Sequence, residues 1–237
     1  MPTKEKIVKV ADFIQKEVEA GLYSKDNRLP SEAELCQRFL TNRYTVRQAL
    51  DRLIQVGLIR AEKGVGYFVV NPPLNFHYEV SPLTRFSDII RRAGNVPGAE
   101  LQSKKVVLPH LQVKDTLGLT REQEVYHLEI IRYADEIPVA KGDTFLPCFL
   151  FEDLEKYLHN FHSLYHILES DYGVYPKRLA STFQAVYPNA KEAIHLDISP
   201  NTPLLQIESV MCDQRGNRME FTRAKFRGDL CNVSVGF

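Results

Sequence analysis

The sequence predicts an α+β protein in two parts: a small helical head closed by a β-hairpin, then a larger domain with a mainly antiparallel sheet. Three observations predict it. A capping pattern at Ser31 opens two short helices in succession, and a glycine-tipped hairpin follows them directly. The adjacent prolines Pro72 and Pro73 then interrupt the chain, denying amide donors to any sheet. Beyond them, apolar runs of strand length alternate with short helical segments, the order expected when helices pack on an antiparallel sheet. At 237 residues there is enough chain for two compact domains, each with a core.

In the head, Ile7, Val10, Ile14 and Val18 recur at helical spacing through a segment rich in Lys and Glu that ends near Gly21. This first helix must cover the apolar backs of the next two. After a polar turn at 23–29, Ser31 and Glu34 form a capping box, and Leu35 and Phe39 give the second helix an inward stripe. The chain breaks at 40–42, where Thr41 or Asn42 can cap a third helix whose Val46, Ala49, Leu50 and Leu53 face inward and which Gly57 ends. Strands at 58–62 and 66–70 follow, joined by Lys63, Gly64 and Val65, a basic tip able to approach another backbone closely.

The third helix leaves Asn42, Arg43, Tyr44, Thr45, Arg47 and Gln48 crowded on its first two turns, with donors suited to phosphates and base edges. Helices that read DNA use that end. The assembly resembles the winged helix-turn-helix of the GntR regulator superfamily. The matching residues are Leu29-Pro30-Ser31-Glu32, Asn42-Arg43-Tyr44-Thr45-Val46-Arg47-Gln48-Ala49-Leu50, Gly57-Leu58-Ile59 and Gly64-Val65-Gly66-Tyr67-Phe68-Val69. The resemblance implies double-stranded operator DNA as partner, with Ser31, Glu32, Asn42, Arg43, Tyr44, Thr45, Arg47, Lys63 and Gly64 as contact residues. Ala33 and Asn42 stand where the family often has Arg and Ser, so one family contact is missing.

Composition is neutral on partners. Lys plus Arg equals Asp plus Glu at 30 each, although residues 1–75 hold 12 basic and 9 acidic side chains. Cys36, Cys148, Cys212 and Cys231 show no metal-ribbon spacing and suit a reducing compartment. The N-terminal stretch has no apolar run of signal-peptide length, and no later segment reaches membrane-spanning length. The expectation is a cytoplasmic protein without a membrane partner. The expected domains are residues 1–70, a semi-rigid linker at 71–77, and residues 78–237.

In the second domain the pattern predicts a helix at 83–92 stopped by Gly94, a strand at 101–107, a helical turn at 115–119, and strands at 124–134 and 137–146. Helical segments around Leu154 and Leu158 and at 163–170 come next. Strands at 179–187 and 204–213 flank a short helix at 189–196, and 218–227 is the last strand. Arg85 and Ser87 sit where a helix start leaves amides unpaired, a setting suited to an anion or to ordinary capping. His159, His162 and His166 would share a face only if one helix ran through them, and Ser163 argues against that. No metal site is expected.

The order of these elements resembles the UTRA effector domain of the HutC branch of the GntR superfamily, a chorismate-lyase-like fold. The matching signals are Leu83-Thr84-Arg85-Phe86-Ser87, Val125-Tyr126-His127-Leu128, Ile131-Arg132, Ser163-Leu164-Tyr165, Asp171-Tyr172-Gly173 and Phe226-Arg227-Gly228-Asp229. The resemblance implies a small anionic effector held between the helix after the linker and the sheet. The positions it matches are Arg85, Ser87, Arg132, Asp143, Glu220 and Arg227. Gly142 and Ile130 replace an acid and an arginine of the family pattern, a departure that implies a ligand different from sugar phosphates, while Arg85-Phe86-Ser87 and Asp143 resemble the phosphonate-utilisation (PhnF-type) regulators more than the amino-sugar ones. The implied function is a homodimeric repressor without a cofactor, released from its operator by a phosphonate, phosphate ester or sugar phosphate. A chorismate-lyase-like enzyme with an accessory head and a constitutive DNA binder are the alternatives. The residues offer no nucleophile or tuned base for the enzyme.

Overall fold

The structure, a computed structural model, describes residues 4–23, 26–70 and 76–236. The chain divides into two compact units, Met1–Pro73 and Leu74–Phe237.

In the first unit, α1 (Lys4–Glu19) buries Ile7, Val10, Ala11 and Ile14. The second helix, α2 (Glu32–Arg38), starts at a complete capping box: Ser31 accepts from the Glu34 amide, and the Glu34 carboxylate accepts from the Ser31 amide. Asn42 caps α3 (Arg43–Gln55), which buries Val46, Ala49, Leu50 and Leu53 against α1 and α2. Gly57, at φ +74°, takes the left-handed turn that lets the chain leave α3 for the hairpin. The hairpin pairs β1 (Ile59–Glu62) antiparallel with β2 (Gly66–Val69), and Ile59 and Val69 close the same core.

The second unit is built on a six-stranded antiparallel sheet. Its strands are β4 (Pro97–Val107), β5 (Val125–Ala134), β6 (Ile137–Pro147), β7 (Lys177–Val186), β8 (Leu204–Cys212) and β9 (Arg218–Arg227), in the spatial order β4-β5-β6-β9-β8-β7. Two three-stranded meanders are thus joined along β6 and β9. A separate parallel pair joins β3 (Phe76–Val80) to β10 (Cys231–Val235). The helices are α4 (Phe86–Arg92), α5 (Leu111–Leu117), α6 (Leu164–Tyr172) and α7 (Ala190–His195).

Alternation along the strands sorts side chains between two faces. Tyr126, Leu128, Ile130 and Leu146 pack with Leu164, Ile167 and Leu168 of α6, while Val125, Phe145 and Phe221 pack with Val113 and Leu117 of α5. Phe86, Ile89 and Ile90 of α4 close over Ile207, Phe226, Phe76 and Tyr78.

Several expectations need correction. Residues 71–75 of the expected linker lie outside the described residues, and residues 76 and 77 are strand, Phe76 pairing with Cys231 and His77 with Asn232. The α4 helix begins three residues later than expected, and β4 begins four residues earlier. The expected turn at 115–119 is the end of α5, which stops at Gly118 in the left-handed conformation (φ 69°).

Leu50 is fully buried where α1, α2 and α3 meet. Leu50→Ala should cost about 2–5 kcal/mol, with faster hydrogen exchange confined to head amides. Equal acceleration in β5 and β6 would show that the two units do not open separately.

Candidate DNA-reading surface and effector cavity

At the head, the Asn42 side-chain oxygen accepts from both the amide and the hydroxyl of Thr45, each at 2.9 Å. This cap turns Thr45 inward to 1% exposure, so Thr45 does not face DNA, contrary to expectation. Its spacing with Ala49 and Leu53 puts it on the buried face. Arg43, Tyr44 and Arg47 remain exposed on the outer side of the same turns. Arg47 Nε donates to both Glu32 oxygens, at 2.8 and 3.0 Å, and the Tyr67 hydroxyl donates to Glu32 Oε1 at 3.0 Å. Glu32 therefore ties the recognition helix to the second strand of the hairpin. The Arg47 bond, with a smaller contribution from Tyr67, holds the Glu32 carboxyl below its usual range. Ser31 spends its hydroxyl on the Glu34 cap. Lys63 and Gly64 stand exposed at the hairpin tip, and Arg28 supports it by donating to the Val65 carbonyl at 2.8 Å. A groove of about 490 Å³ runs between Ser31, Glu32 and this tip.

In the second unit a cavity of about 450 Å³ lies between the start of α4, α6 and one face of the sheet. It brings together Arg85, Ser87, Arg132 and Glu220 of the expected effector residues. Arg85, the N-cap residue of α4, is ion-paired with Glu169 of α6. The Arg132 guanidinium lies over the Phe86 ring, 5.4 Å from its centroid. Glu220 is 2% exposed, and burial pushes its carboxyl up to about 7 against the pull of the Tyr165 hydroxyl, Arg132 and Arg178. Its Oε2 has no hydrogen-bond partner among the described residues, and the same holds for the buried Nε of Arg178.

Asp143 and Arg227 are not in this cavity. On β9 the cavity-facing residues are Glu220, Thr222, Ala224 and Phe226, so Arg227 has the opposite parity. It binds Asp229 through Nε and Nη2 and approaches the Pro138 and Leu196 carbonyls. Asp143 pairs across the strands with Arg223, on the face away from the cavity, and its Oδ1 lies 2.9 Å from His127 Nε2, from which it can accept. Gly142 lies beside Ala224, so the position where the family pattern has an acid offers no side chain to the cavity floor. The sequence reading missed Tyr78, Glu169 and Arg178, which all line the cavity. Tyr78 comes from the unexpected β3, and a register shift between Arg178 and Ala180 hides Arg178 from a simple alternation. His162 and His166 reach the cavity, but α6 starts only at Leu164 and no single helix spans the three histidines.

A capped, arginine-bearing helix beside a hairpin wing, in one chain with a sheet domain that holds a small-molecule-sized cavity, defines a DNA-binding regulator. Comparison with known proteins places it more finely. The family model for bacterial regulatory proteins, gntR family, matches residues 6–69, and the UTRA domain model matches residues 92–231. The chain belongs to the GntR family of transcriptional regulators, in its UTRA-domain (HutC) branch. It is 29% identical over 223 residues to the HTH-type transcriptional regulator GgaR of Escherichia coli, covering 94% of this chain and 87% of that one. To the HTH-type transcriptional repressor NagR of Bacillus subtilis it is 27% identical over 220 residues, covering 93% and 89%. The crystal structure of PhnF from Mycobacterium smegmatis shares the fold, with a TM-score of 0.65 at 24% identity over 89% of this chain and 92% of that one. GgaR and NagR are transcriptional regulators by name, and this chain is a regulator rather than an enzyme.

Glu220 also sets a pH response. Its folded pKa, about 7, lies above the ordinary carboxyl value of 4.5, so between those limits the folded state holds more protons than the unfolded state and stability falls as pH rises. Glu220→Gln should raise the melting temperature relative to the parent at pH 8, by an amount equivalent to no more than about 3 kcal/mol, and leave it unchanged at pH 4. A difference that stays constant from pH 4 to 8 would remove this group as the source.

Proposed function

We propose that this regulator is a homodimeric cytoplasmic repressor, released from its operator when a small anionic metabolite occupies the cavity of the second unit. One observation supports the effector reading above the rest: Arg85, Arg132 and Arg178 line one partly open cavity of about 450 Å³, a size suited to a small molecule. The chemistry such a wall holds is a phosphonate, a phosphate ester or a sugar phosphate. Ser87 adds a hydroxyl, and Glu220, half-protonated near neutral pH, can accept from or donate to a second polar group of the ligand. NagR carries the word repressor in its name, which agrees with the proposed direction of control.

The first dozen described residues after the junction supply Tyr78, Arg85, Phe86 and Ser87 to the cavity wall. A ligand can shift an equilibrium only through differential affinity for its two states. Contacts that gather α4 and α6 onto the sheet provide such a difference, and breaking Arg85 away from Glu169 is one local event through which an anion would act. Arg132→Ala should retain operator binding but lose release by the effector, whereas Arg47→Ala should lose roughly 1–3 kcal/mol of operator affinity. The assay is a gel shift with genomic operator fragments after a thermal-shift screen of phosphonates, phosphate esters and sugar phosphates. Release of Arg132→Ala at the parent's ligand concentration would sink this control site.

For the dimer, the edges of the sheet differ. The β4 edge is interrupted by the exposed Lys104 and Lys105, which discourage strand pairing, while β7 exposes Leu179 and Phe183 along ten residues. A second copy at β7 would cover these side chains and fix the spacing of two heads for operator half-sites about 34 Å apart. Phe183→Lys should shift the protein toward monomer in light scattering. An unchanged mass at low micromolar concentration would place the dimer contact elsewhere.

A further inference from the structure

The four arginines that line the cavity are not equivalent: Arg91 is paired with Asp88 at 3.1 Å. Arg85 is paired with Glu169 and Arg132 stacks on Phe86. Arg178, at the start of β7, uses its outer guanidinium edge differently: Nη2 donates to the Tyr78 hydroxyl at 2.9 Å and Nη1 to the Ser81 carbonyl at 3.4 Å. Its backbone amide donates to the Pro82 carbonyl at 2.8 Å. Both ends of this residue are therefore fastened to the segment that carries the chain from β3 toward α4. Its Nε–H is buried without an acceptor among the described residues, on a side chain that lines the cavity. Buried donors of this kind are rare because leaving them unmet is costly. A second group in the same cavity, Glu220 Oε2, is also buried and unmet.

We propose that Arg178 is an effector-contacting residue, donating from Nε to an oxygen of the bound anion, and that its guanidinium passes occupancy of the cavity to Tyr78, Ser81 and Pro82. This rests on the effector reading given above. The physical basis is the rigidity of the guanidinium. Its nitrogens lie in one plane with fixed mutual geometry, so a pull on Nε tilts Nη1 and Nη2 as well. Those two atoms hold the Tyr78 hydroxyl and the Ser81 carbonyl, and both are on the first stretch of the second unit. Lysine can replace the charge but not this three-way fork.

The test uses the full-length protein with inorganic phosphate, glycerol 3-phosphate, glucose 6-phosphate and 2-aminoethylphosphonate as probes in titration calorimetry. For the tightest-binding probe, Arg178→Lys and Arg178→Gln should each weaken affinity about 10- to 100-fold, as expected for loss of a hydrogen bond to a charged group. Tyr78→Phe removes the hydroxyl that accepts from Arg178 Nη2 and leaves the Nε donor in place. With the cavity saturated by the probe, it should lose the hydrogen-exchange protection that the probe confers on the amides of Ser81, Leu83 and Thr84 in the parent. Parent-like affinity in both Arg178 variants would overturn the contact and leave the effector reading standing. Should those variants fail to fold, Tyr78→Phe decides, and undiminished protection at the amides of Ser81, Leu83 and Thr84 overturns the relay. Failure of every probe to bind the parent would defeat the effector reading and this inference with it.

Discussion

The antiparallel seam between β6 and β9 is the constraint on which the second unit depends. It joins two meanders into one sheet, and its register sets which side chains meet the cavity. Thr144 and Thr222 face each other across it with hydroxyls 3.0 Å apart, so Thr222 is a fixed part of the cavity floor. Next to them Gly142 and Ala224 present almost no side chain, and this is where the floor stays open. A slip of one residue in that register would send Glu220 to the opposite face and bring Phe221 and Arg223 into the cavity. Shape and charge of the site are thus one consequence of strand pairing.

The same alternation gives the two faces opposite electrostatic character. On the cavity face Glu220 is buried with an unmet oxygen, and burial drives its pKa upward. On the other face Glu129 is shared by Lys191 and Lys141 at 2.9 and 3.1 Å, and these bonds hold it down at about 2. Glu208 with Arg223 and Glu192 with Lys225 continue that network of matched charges. The signs of the linked stability terms differ accordingly. Glu129 contributes stability that is present above the unfolded carboxyl value and lost as pH falls toward 2, whereas the Glu220 contribution is lost as pH rises from 4.5 toward 7. The matched face loses stability on acidification, and the unmatched face is the one with chemistry left to satisfy.

The head was legible in the sequence because its signals act over three or four residues. A capping box at Ser31, a cap at Asn42 and a glycine at position 57 fix helix ends locally, and the inward stripe of α3 follows from spacing alone. Thr45 was also legible, since it lies four residues before Ala49 on the buried side, but its hydroxyl suggested a contact instead. In the second unit the errors are non-local. β3 and β10 are five residues each and pair across more than 150 positions, so neither has a local signal beyond weak alternation. Asp143 and Arg227 came with the family resemblance, and a strand's period of two placed them on the wrong face. Arg178 had no motif, and the register shift after it broke the only pattern that could have shown it.

The two units share a common logic. In each, one acidic residue holds an arginine of the candidate site. Glu32 gathers Arg47 and Tyr67, so the outer turns of α3 and the second hairpin strand are held by one carboxylate. Glu169 holds Arg85 at the start of α4. In both places the acid keeps a guanidinium oriented, which would lower the ordering cost of binding a phosphate or other anion. The difference lies in what the anion meets. The Arg47 pair is largely exposed on its arginine side, where solvent screens the charges and an incoming phosphate can share the guanidinium with Glu32. The Arg85 pair is more enclosed, and an anion that enters must compete with Glu169 for the same donors. Competition of that kind changes contacts between α4 and α6, and a changed contact is what a two-state control element requires.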